Sequence, residues 1–149
     1  MTSRSCLSIV LAAGLGTRMK SVLPKVMHEI GGLPLVGHVV KALKQAGSDR
    51  ISVVTGPDMP ELEKLVQNLA PEAHCHVQHE RLGTAHAALA ARSALASPSD
   101  DVLILFGDTP LVTADTIGKV RQALSDGADL AVHGHTIGRV GCHARAGGL

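Results

Sequence analysis

The apolar residues of this chain fall into short runs that alternate with amphipathic segments. Three runs, at 6–13, 51–54 and 102–106, are rich in Val, Ile and Leu and are followed closely by Gly. Such runs are typical of strands that are buried on both faces in a parallel sheet. Weaker strands are predicted at 74–78 and 129–134.

Between these runs, apolar positions recur at the three- and four-residue spacing of helices. The predicted helices cover 36–47, 59–70, 84–96 and 113–127. Asp58 and Thr113 precede two of them and are candidate N-caps. Strand and helix therefore alternate, which favours an α/β fold with helices on both faces of a parallel sheet. Right-handed crossovers narrow this to a doubly wound, mostly parallel, Rossmann-like sheet in which the first and fourth strands are neighbours.

The composition limits the classes of partner. Hydrophobic residues make up 45% of the 149 residues, which is enough for a compact core in one domain over 1–149. There is one Phe and no Trp or Tyr. Since single-stranded nucleic acid is bound largely by stacking bases on aromatic rings, and a net charge of +1 attracts no polyanion, we expect no nucleic-acid partner.

Cysteine usage and the N-terminus indicate a cytoplasmic protein. Cys6, Cys75 and Cys142 lack a paired spacing such as C-x-x-C, which is typical of reduced thiols. The apolar run at 6–13 is too short to span a membrane. We therefore expect a soluble cytoplasmic protein with no membrane partner.

The stretch LAAGLGTRMKSVLPK, at 11–25, combines bare backbone with positive charge just after the first strand. In doubly wound sheets, ligands bind beyond the carboxyl ends of the strands, where Gly14 and Gly16 lie. Glycines let N–H groups turn toward an anion, and Arg18 and Lys25 can bind phosphate oxygens. We predict a phosphate site here; the alternative is a glycine-rich turn with solvated cations.

The familiar phosphate loops do not fit this stretch. A Walker A sequence is absent, and the dinucleotide fingerprint G-x-G-x-x-G begins at Gly14 and Gly16 but has Met19 in its third position. The chain is predicted to stay irregular to about residue 35. A loop of about 20 residues is unusual in a compact domain and is commonly functional.

A carboxylate follows the fourth predicted sheet strand. Asp108 comes directly after the run 102–106, between Gly107 and Pro110. If the first and fourth strands are neighbours, Asp108 faces the Gly14 loop, where it would be a natural Mg²⁺ ligand beside phosphates. A turn-forming or capping aspartate is the alternative.

A third loop, VQHERLGTAHA at 77–87, reaches the same end of the sheet. Gln78 offers donors and an acceptor that suit the amide-like edge of a nucleobase. Gly83 allows contact with the backbone. Thr84 either lines the site or only caps the helix that follows.

Together, LAAGLGTRM…LPKV, VQHERLGTAHA and FGDTPL resemble the signatures of sugar-phosphate nucleotidyltransferases. Over residues 6 to 134, the motifs and their order are similar to the N-terminal uridyltransferase domain of the bacterial bifunctional N-acetylglucosamine-1-phosphate uridyltransferase and glucosamine-1-phosphate acetyltransferase family. The resemblance implies a GT-A-like nucleotidyltransferase fold and transfer of UMP from UTP to N-acetylglucosamine 1-phosphate. It further implies Mg²⁺ as cofactor, pyrophosphate as second product, and a place in cell-wall precursor synthesis (peptidoglycan and lipopolysaccharide).

The resemblance also implies roles for individual residues. Arg18 would bind the leaving phosphates, Lys25 would stabilise the attacked phosphate, and Asp108 would hold Mg²⁺. Gln78 and Gly83 would read uracil, and Thr84 would line the sugar pocket. The residues that would bind the nucleotide are Leu11, Ala12, Ala13, Gly14, Gly16, Gln78, Gly83 and Thr84.

The chain departs from that family in length. The family's acetyltransferase β-helix, on which its trimer depends, has no counterpart here, and a D-P-x-G-Y-G-R segment is missing, with only Gly138-Arg139 similar to it. We therefore expect a sheet that is incomplete at its C-terminus, as in a truncated product. The role of 135–149 is unassigned, and a homo-oligomer stays an open alternative.

Three other functions stay open at this point. The first is a UTP-binding fragment without turnover. The second is a guanylyltransferase of the molybdenum-cofactor type, which shares the first motif. The third is a metal-binding module built on histidines such as His74 and His76, although their spacing is not that of a closed zinc site, so solvated or capping histidines are favoured.

Overall fold

The computed structural model describes residues 4–14, 16, 20–136 and 139–145, with side chains as far as Gly134. Arg18 lies outside the described residues. The chain divides into two compact units, Met1–Val112 and Thr113–Leu149, and the single domain expected over 1–149 stays a prediction.

The first unit alternates strands with helices. Its strands and helices, in chain order, are β1 (Cys6–Leu11), β2 (Glu29–Ile30), β3 (Leu33–Pro34), α1 (Leu35–Gln45), β4 (Arg50–Thr55), α2 (Pro60–Leu69), β5 (His74–Val77), α3 (Thr84–Ala90) and β6 (Asp101–Phe106). Single turns of 3₁₀ helix lie at Lys25–Met27 and Arg92–Ala96. Within the described ranges, no helix of either unit is long and apolar enough to cross a membrane.

Four strands form a parallel sheet in the order β5-β4-β1-β6. Counted along the chain, these are the third, second, first and fourth strands of the sheet, which is the predicted order. At the carboxyl end of β1, Leu11 pairs with Val54 on one side and with Phe106 on the other. The prediction of a parallel α/β sheet is confirmed, and the loops after its central strands leave it at one edge.

β1 is the centre of the core. All six of its residues are buried, and because successive side chains of a strand point to opposite faces, both faces of β1 are covered. On one face, Leu7, Ile9 and Leu11 pack with Ala87 of α3 and with Ala91 just beyond it. The small alanine side chains let this part of the chain lie close to the sheet, so larger residues there would overpack the core.

β6 differs from the fully buried strand that its apolar run predicts. Leu103 is 7% exposed, but Val102, Ile104 and Phe106 are 42, 55 and 52% exposed. These three residues alternate with the buried positions, so only one face of β6 is covered. β6 is the edge of the four-stranded sheet, and the periodicity of such a short apolar run does not distinguish an edge strand from a central one.

The start of α2 also differs from the prediction. The helix begins at Pro60, and Asp58 does not cap it. The backbone of Asp58 has a φ of 62°, in the left-handed region, whereas an N-cap residue needs an extended backbone to turn its side chain onto the first turn. Asp58 serves instead as a turn residue, which aspartate tolerates better than most residues.

The helix predicted over 84–96 is shorter than expected. α3 ends at Ala90, and a 3₁₀ turn follows it. The guanidinium group of Arg50 donates to the carbonyl oxygens of Ala94 and Ser97 at 3.0 and 2.7 Å. These carbonyls are therefore satisfied by a side chain of β4, which sequence periodicity cannot show.

The second unit consists, in its described part, of α4 (Ala114–Ser125) and an antiparallel pair, β7 (Leu130–Thr136) and β8 (Arg139–Arg145). The prediction that Thr113 caps α4 is confirmed, because its Oγ1 accepts a hydrogen bond from the backbone N–H of Thr116 at 3.2 Å. β7 and β8 form a two-stranded sheet within this unit. The strand β8 falls within 135–149, a segment to which the sequence assigns no role, and Gly141 lies opposite Gly134.

Candidate functional site

A cleft of about 520 Å³ opens at the carboxyl ends of β1 and β6, within the first unit. The loops that follow β1, β5 and β6 form its walls. Its volume lies within the range of small-molecule sites, roughly 300–1,000 Å³. The predicted residues that line it are Leu11, Ala13, Gly14, Gly16, Lys25, Gln78, Gly83, Thr84 and Asp108.

The backbone at the end of β1 opens the cleft. The N–H of Ala12 donates to the carbonyl of Val54 at 2.8 Å, and the N–H of Gly107 donates to the carbonyl of Leu11 at 2.9 Å. Ala12 is 1% exposed and is not among the lining residues, so its predicted contact with a nucleotide has no geometric support here. Ala13, Gly14 and Gly16 line the cleft.

The two glycines of the loop differ in what their missing side chains allow. A Cβ added to Gly14 would meet nothing within 4 Å, so its backbone faces open space. Gly16 has a φ of 62°, and a Cβ there would lie 2.6 Å from the Cβ of Lys25. Gly16 is therefore required by the turn itself, whereas Gly14 leaves room for a ligand against the backbone.

Lys25 and Asp108 meet across the cleft. The Nζ atom of Lys25 lies 2.6 Å from Oδ2 of Asp108, with side chains 44 and 29% exposed. Lys25 opens a 3₁₀ turn after Pro24, and Asp108 follows the end of β6. The predicted phosphate-binding cation and the predicted metal ligand thus form an ion pair, which keeps both charges within reach of one ligand.

The chemistry of Asp108 suits a magnesium ion held jointly with phosphates. Mg²⁺ prefers oxygen ligands and usually keeps several waters, so one or two carboxylates with substrate phosphates are enough. The described residues contain no group of three or more His, Cys, Asp or Glu side chains that could hold a metal on their own. Asp108 is the acidic residue that lines the cleft in the described part, so it would share the ion with the ligand.

Gln78 lies on the opposite side of the cleft and is nearly buried. It is 4% exposed, and its backbone N–H donates to the carbonyl of Thr55 at 2.8 Å. Its side-chain Nε2 lies 3.0 Å from Nδ1 of His86. A buried amide that is fixed at both its backbone and its side chain is well suited to recognise a polar ligand edge.

Gly83 and Thr84 follow in the same loop and lead into α3. Gly83 has a φ of 103°, which favours glycine, and its carbonyl accepts the N–H of Ala87 at 3.0 Å. It precedes the first residue of α3, Thr84, and no side-chain cap forms there. The alternative that Thr84 only caps the helix is therefore wrong, and Thr84 lines the cleft instead.

Sequence reasoning missed Arg81. Its Nε donates to the carbonyl of Ala13 at 3.0 Å, which ties the third loop to the first. A Cβ on Gly56 would lie 2.8 Å from Nη2 of Arg81, so the guanidinium lies against bare backbone. The available sequence signal was its position. Arg81 is a cation two residues before Gly83, in a loop that was already expected to contact a nucleotide.

The histidine-rich strand β5 forms no metal site in the described part of the chain. Nε2 of His76 lies 3.2 Å from Oγ of Ser52 instead. Burial, and then the neighbouring His74, lower the pKa of His76. Burial, and then the charge of Glu63, raise the pKa of the Cys75 thiol to about 11, which keeps it protonated and unreactive at neutral pH.

The fold of this chain is similar to that of two solved structures. One is a nucleotidyl transferase from Methanothermobacter, 24% identical, with a TM-score of 0.66 over 80% of this chain and 58% of that chain. The other is a UDP-glucose pyrophosphorylase complexed with UDP-glucose, 21% identical, with a TM-score of 0.63 over 81% of this chain and 54% of that chain.

The chain belongs to the family of MobA-like NTP transferase domains, whose model matches residues 8–145. Curated relatives named bifunctional protein GlmU include one from Bartonella bacilliformis, 55% identical over 88% of this chain, and one from Bradyrhizobium, 54% identical over 90%. The chain matches their N-terminal region and spans 29 and 30% of their length. The resemblance that the sequence motifs indicate is therefore confirmed.

Proposed function

We propose that this chain transfers UMP from UTP to N-acetylglucosamine 1-phosphate, which gives UDP-N-acetylglucosamine and pyrophosphate. The observation that carries this proposal is one cleft in which the Lys25–Asp108 ion pair faces the buried amide of Gln78. The pair provides a place for phosphates and the amide a place for a base. The choice of sugar and base comes from the resemblance of the sequence motifs to the uridyltransferase family, and the relatives named bifunctional protein GlmU are similar over the same region.

The nucleotide would lie across the carboxyl edge of the sheet. Gln78 would hydrogen-bond the uracil edge, and the backbone at Gly83 would accept close approach of the ring. The triphosphate would follow the open backbone at Gly14, where nothing occupies the space that a side chain would take. Arg18, outside the described residues, would bind the leaving phosphates.

The reaction needs positioning and charge neutralisation rather than a protein nucleophile. A phosphate oxygen of the sugar phosphate forms a new bond to the α-phosphorus of UTP, and the bond from that phosphorus to the α–β bridging oxygen breaks. The bridging oxygen leaves with the electron pair as part of pyrophosphate. The ammonium group of Lys25 would stabilise the negative charge on the attacked phosphate.

Asp108 would hold Mg²⁺, which neutralises phosphate charge when it is bound. Nζ of Lys25 lies against one oxygen of this carboxylate. The phosphates of UTP offer Lys25 another anionic partner, so the same ligand that brings Mg²⁺ also draws the ammonium group away. The substrates are small molecules, and a cytoplasmic location is part of the proposal.

A nucleotide panel tests base and phosphate recognition together. Each of UTP, CTP, GTP and ATP is added with Mg²⁺, and the melting temperature is measured, since a ligand that binds the folded state raises it by mass action. We expect the largest increase with UTP, and Gln78→Leu should remove that preference. Gln45→Leu, at an exposed glutamine at the end of α1, is the matched control.

Pyrophosphate release tests the reaction itself. UTP, N-acetylglucosamine 1-phosphate and Mg²⁺ are supplied together, and release without the sugar phosphate is the blank. Release that depends on the sugar phosphate supports the transferase. UTP binding without release would reduce the function to nucleotide binding, and a preference for GTP would favour a guanylyltransferase.

A further inference from the structure

The contact between Gln78 and His86 has a consequence for which base the cleft accepts. His86 lies in the first turn of α3 and is half-buried, and its Nδ1 lies 3.0 Å from Nε2 of Gln78. With the amide nitrogen in this place, Gln78 donates and Nδ1 accepts, so the ring proton of a neutral His86 is on Nε2. Among the described residues, the side chain of Gln78 has no other hydrogen-bond partner.

A glutamine side chain is nearly symmetric in shape but not in chemistry. Turning the amide by 180° exchanges an acceptor for a donor with little change in volume. At Gln78, the turned amide would point its oxygen at Nδ1 of His86, and two acceptors would face each other as long as the ring proton stays on Nε2. In this tautomer, His86 fixes which end of the amide is the oxygen.

The orientation of the amide matters because pyrimidines differ at one ring nitrogen. Uracil carries a hydrogen on N3 and requires an acceptor opposite it, whereas N3 of cytosine accepts and requires a donor. An amide of fixed orientation presents its oxygen or its N–H at that position, but not both. An amide free to turn would accept either base.

We propose that His86, with its ring proton on Nε2, is a positioning residue that holds the oxygen of Gln78 toward N3 of the base and so sets the preference for uridine over cytidine nucleotides. This inference rests on the proposed function. His86 itself is not among the residues that line the cleft, so it acts through Gln78 rather than by contact with the ligand. Its role is thus one of selectivity, while phosphate binding depends on other loops.

The test measures the dissociation constants of UTP and CTP, each with Mg²⁺ and without sugar phosphate, by titration calorimetry. His86→Phe keeps a ring but lacks the acceptor, and it should reduce the ratio of CTP to UTP dissociation constants at least about tenfold, or roughly 1.4 kcal/mol. UTP should bind more weakly and CTP more tightly. His86→Asp, whose side-chain oxygens can only accept, should keep most of the preference.

Controls separate this role from a structural one. His79→Phe, at an exposed histidine of the same loop, should leave the ratio unchanged. Gln78→Leu should abolish the preference, and adding His86→Phe to it should change the ratio no further, since coupled residues are not additive. His86→Ala serves in the same assay if the phenylalanine variant does not fold by circular dichroism.

Each outcome has one meaning. A wild-type chain that prefers UTP and keeps its ratio in His86→Phe and His86→Ala would overturn the role of His86 and leave the proposed function standing. Equal weakening of UTP and CTP, with an unchanged ratio, would also overturn it. A wild-type chain that binds all four nucleotides equally would overturn base recognition and this inference together.

Discussion

Nζ of Lys25 lies 2.6 Å from Oδ2 of Asp108, although 83 residues separate them in the chain. The contact joins the loop after β1 to the loop after β6, at the edge where these two strands lie side by side. Neither side chain is deeply buried, so the pair contributes little to stability, on the order of 0–1 kcal/mol. The pair matters more for binding, because phosphates would replace Asp108 as the partner of Lys25 and Mg²⁺ would replace Lys25 as the partner of Asp108.

Removing Lys25 should affect turnover far more than folding. We expect Lys25→Met to lower sugar-phosphate-dependent pyrophosphate release at least about 100-fold, because one preorganised charge at a transition state is commonly worth that much. The melting temperature should change by only a few degrees. Lys41→Met, at an exposed lysine of α1, is the control in both assays. A turnover rate within tenfold of the wild type would exclude Lys25 from catalysis.

Asp108→Asn should have opposite effects on the binding affinity for UTP with Mg²⁺ and for UTP without it. Binding of UTP with Mg²⁺ should weaken, because the carboxylate ligand is lost. Binding of UTP in EDTA should strengthen, because Lys25 no longer has an anionic partner. Titration calorimetry measures the dissociation constant of UTP with Mg²⁺ and in EDTA. Asp58→Asn, at an exposed aspartate, is the control. If both affinities fell equally, Asp108 would be a structural residue and not a metal ligand.

Alanine at the two loop glycines should separate binding from stability. Gly14→Ala should leave the melting temperature nearly unchanged and weaken UTP binding, since its Cβ would enter space that is open to a ligand. Gly16→Ala should destabilise the fold by about 1 kcal/mol or more, because of its φ of 62° and the clash with Lys25. Thermal unfolding and calorimetry on both variants provide the comparison. Unchanged UTP affinity in Gly14→Ala would place the phosphates elsewhere.

Arg18 and Lys20 provide a test of the part of the loop that lies outside the described residues. Arg18→Ala should weaken UTP binding more than Lys20→Ala. A charge-assisted hydrogen bond to phosphate is worth about 1.5–3 kcal/mol, whereas Lys20 is exposed and has no assigned role. Calorimetry on both variants checks this, and equal affinities would remove Arg18 from the site.

Stability should rise with pH through the range in which His76 titrates. The pKa of His76 is lowered from 6.5, chiefly by burial and also by His74, so near that pH the unfolded chain binds more protons than the folded one. The contribution is present above about pH 6.5 and is lost as the pH falls toward the folded pKa. His76→Gln should therefore flatten the rise of the melting temperature between about pH 5 and 7, whereas His79→Gln, at an exposed site, should not. Parallel slopes for all three chains would assign the pH dependence to other groups.

Much of the cleft could be predicted because its parts follow strand ends directly in sequence. Once the runs at 6–13 and 102–106 are assigned to neighbouring parallel strands, the loops after them must lie together, and Gly14 and Asp108 with them. The backbone of a glycine and the charge of an aspartate need no further information to be recognised. For this reason, the pairing of β1 with β6 was the most productive prediction.

The contacts that sequence did not reveal depend on side chains crossing between loops. Arg81 reaches back to the carbonyl of Ala13, and His86 reaches Gln78 from the next helix. The partner of each side chain cannot be predicted from periodicity or spacing, because it depends on how the third loop and α3 pack against the sheet. The exposed face of β6 was missed for a related reason, since an apolar run shows hydrophobicity but not how many faces are covered.

The pairing of β1 with β6 also determines when the site can form. Ser5, just before β1, bonds Asp100, just before β6, and 95 residues separate them. At a synthesis rate of about 5–20 residues per second, β6 is synthesised on the order of ten seconds after β1. Pairings so distant in sequence also slow refolding of the complete chain, because a long loop must close first. Until β6 pairs with it, β1 has unpaired backbone groups along one edge, and Asp108 is not in place to form the ion pair with Lys25.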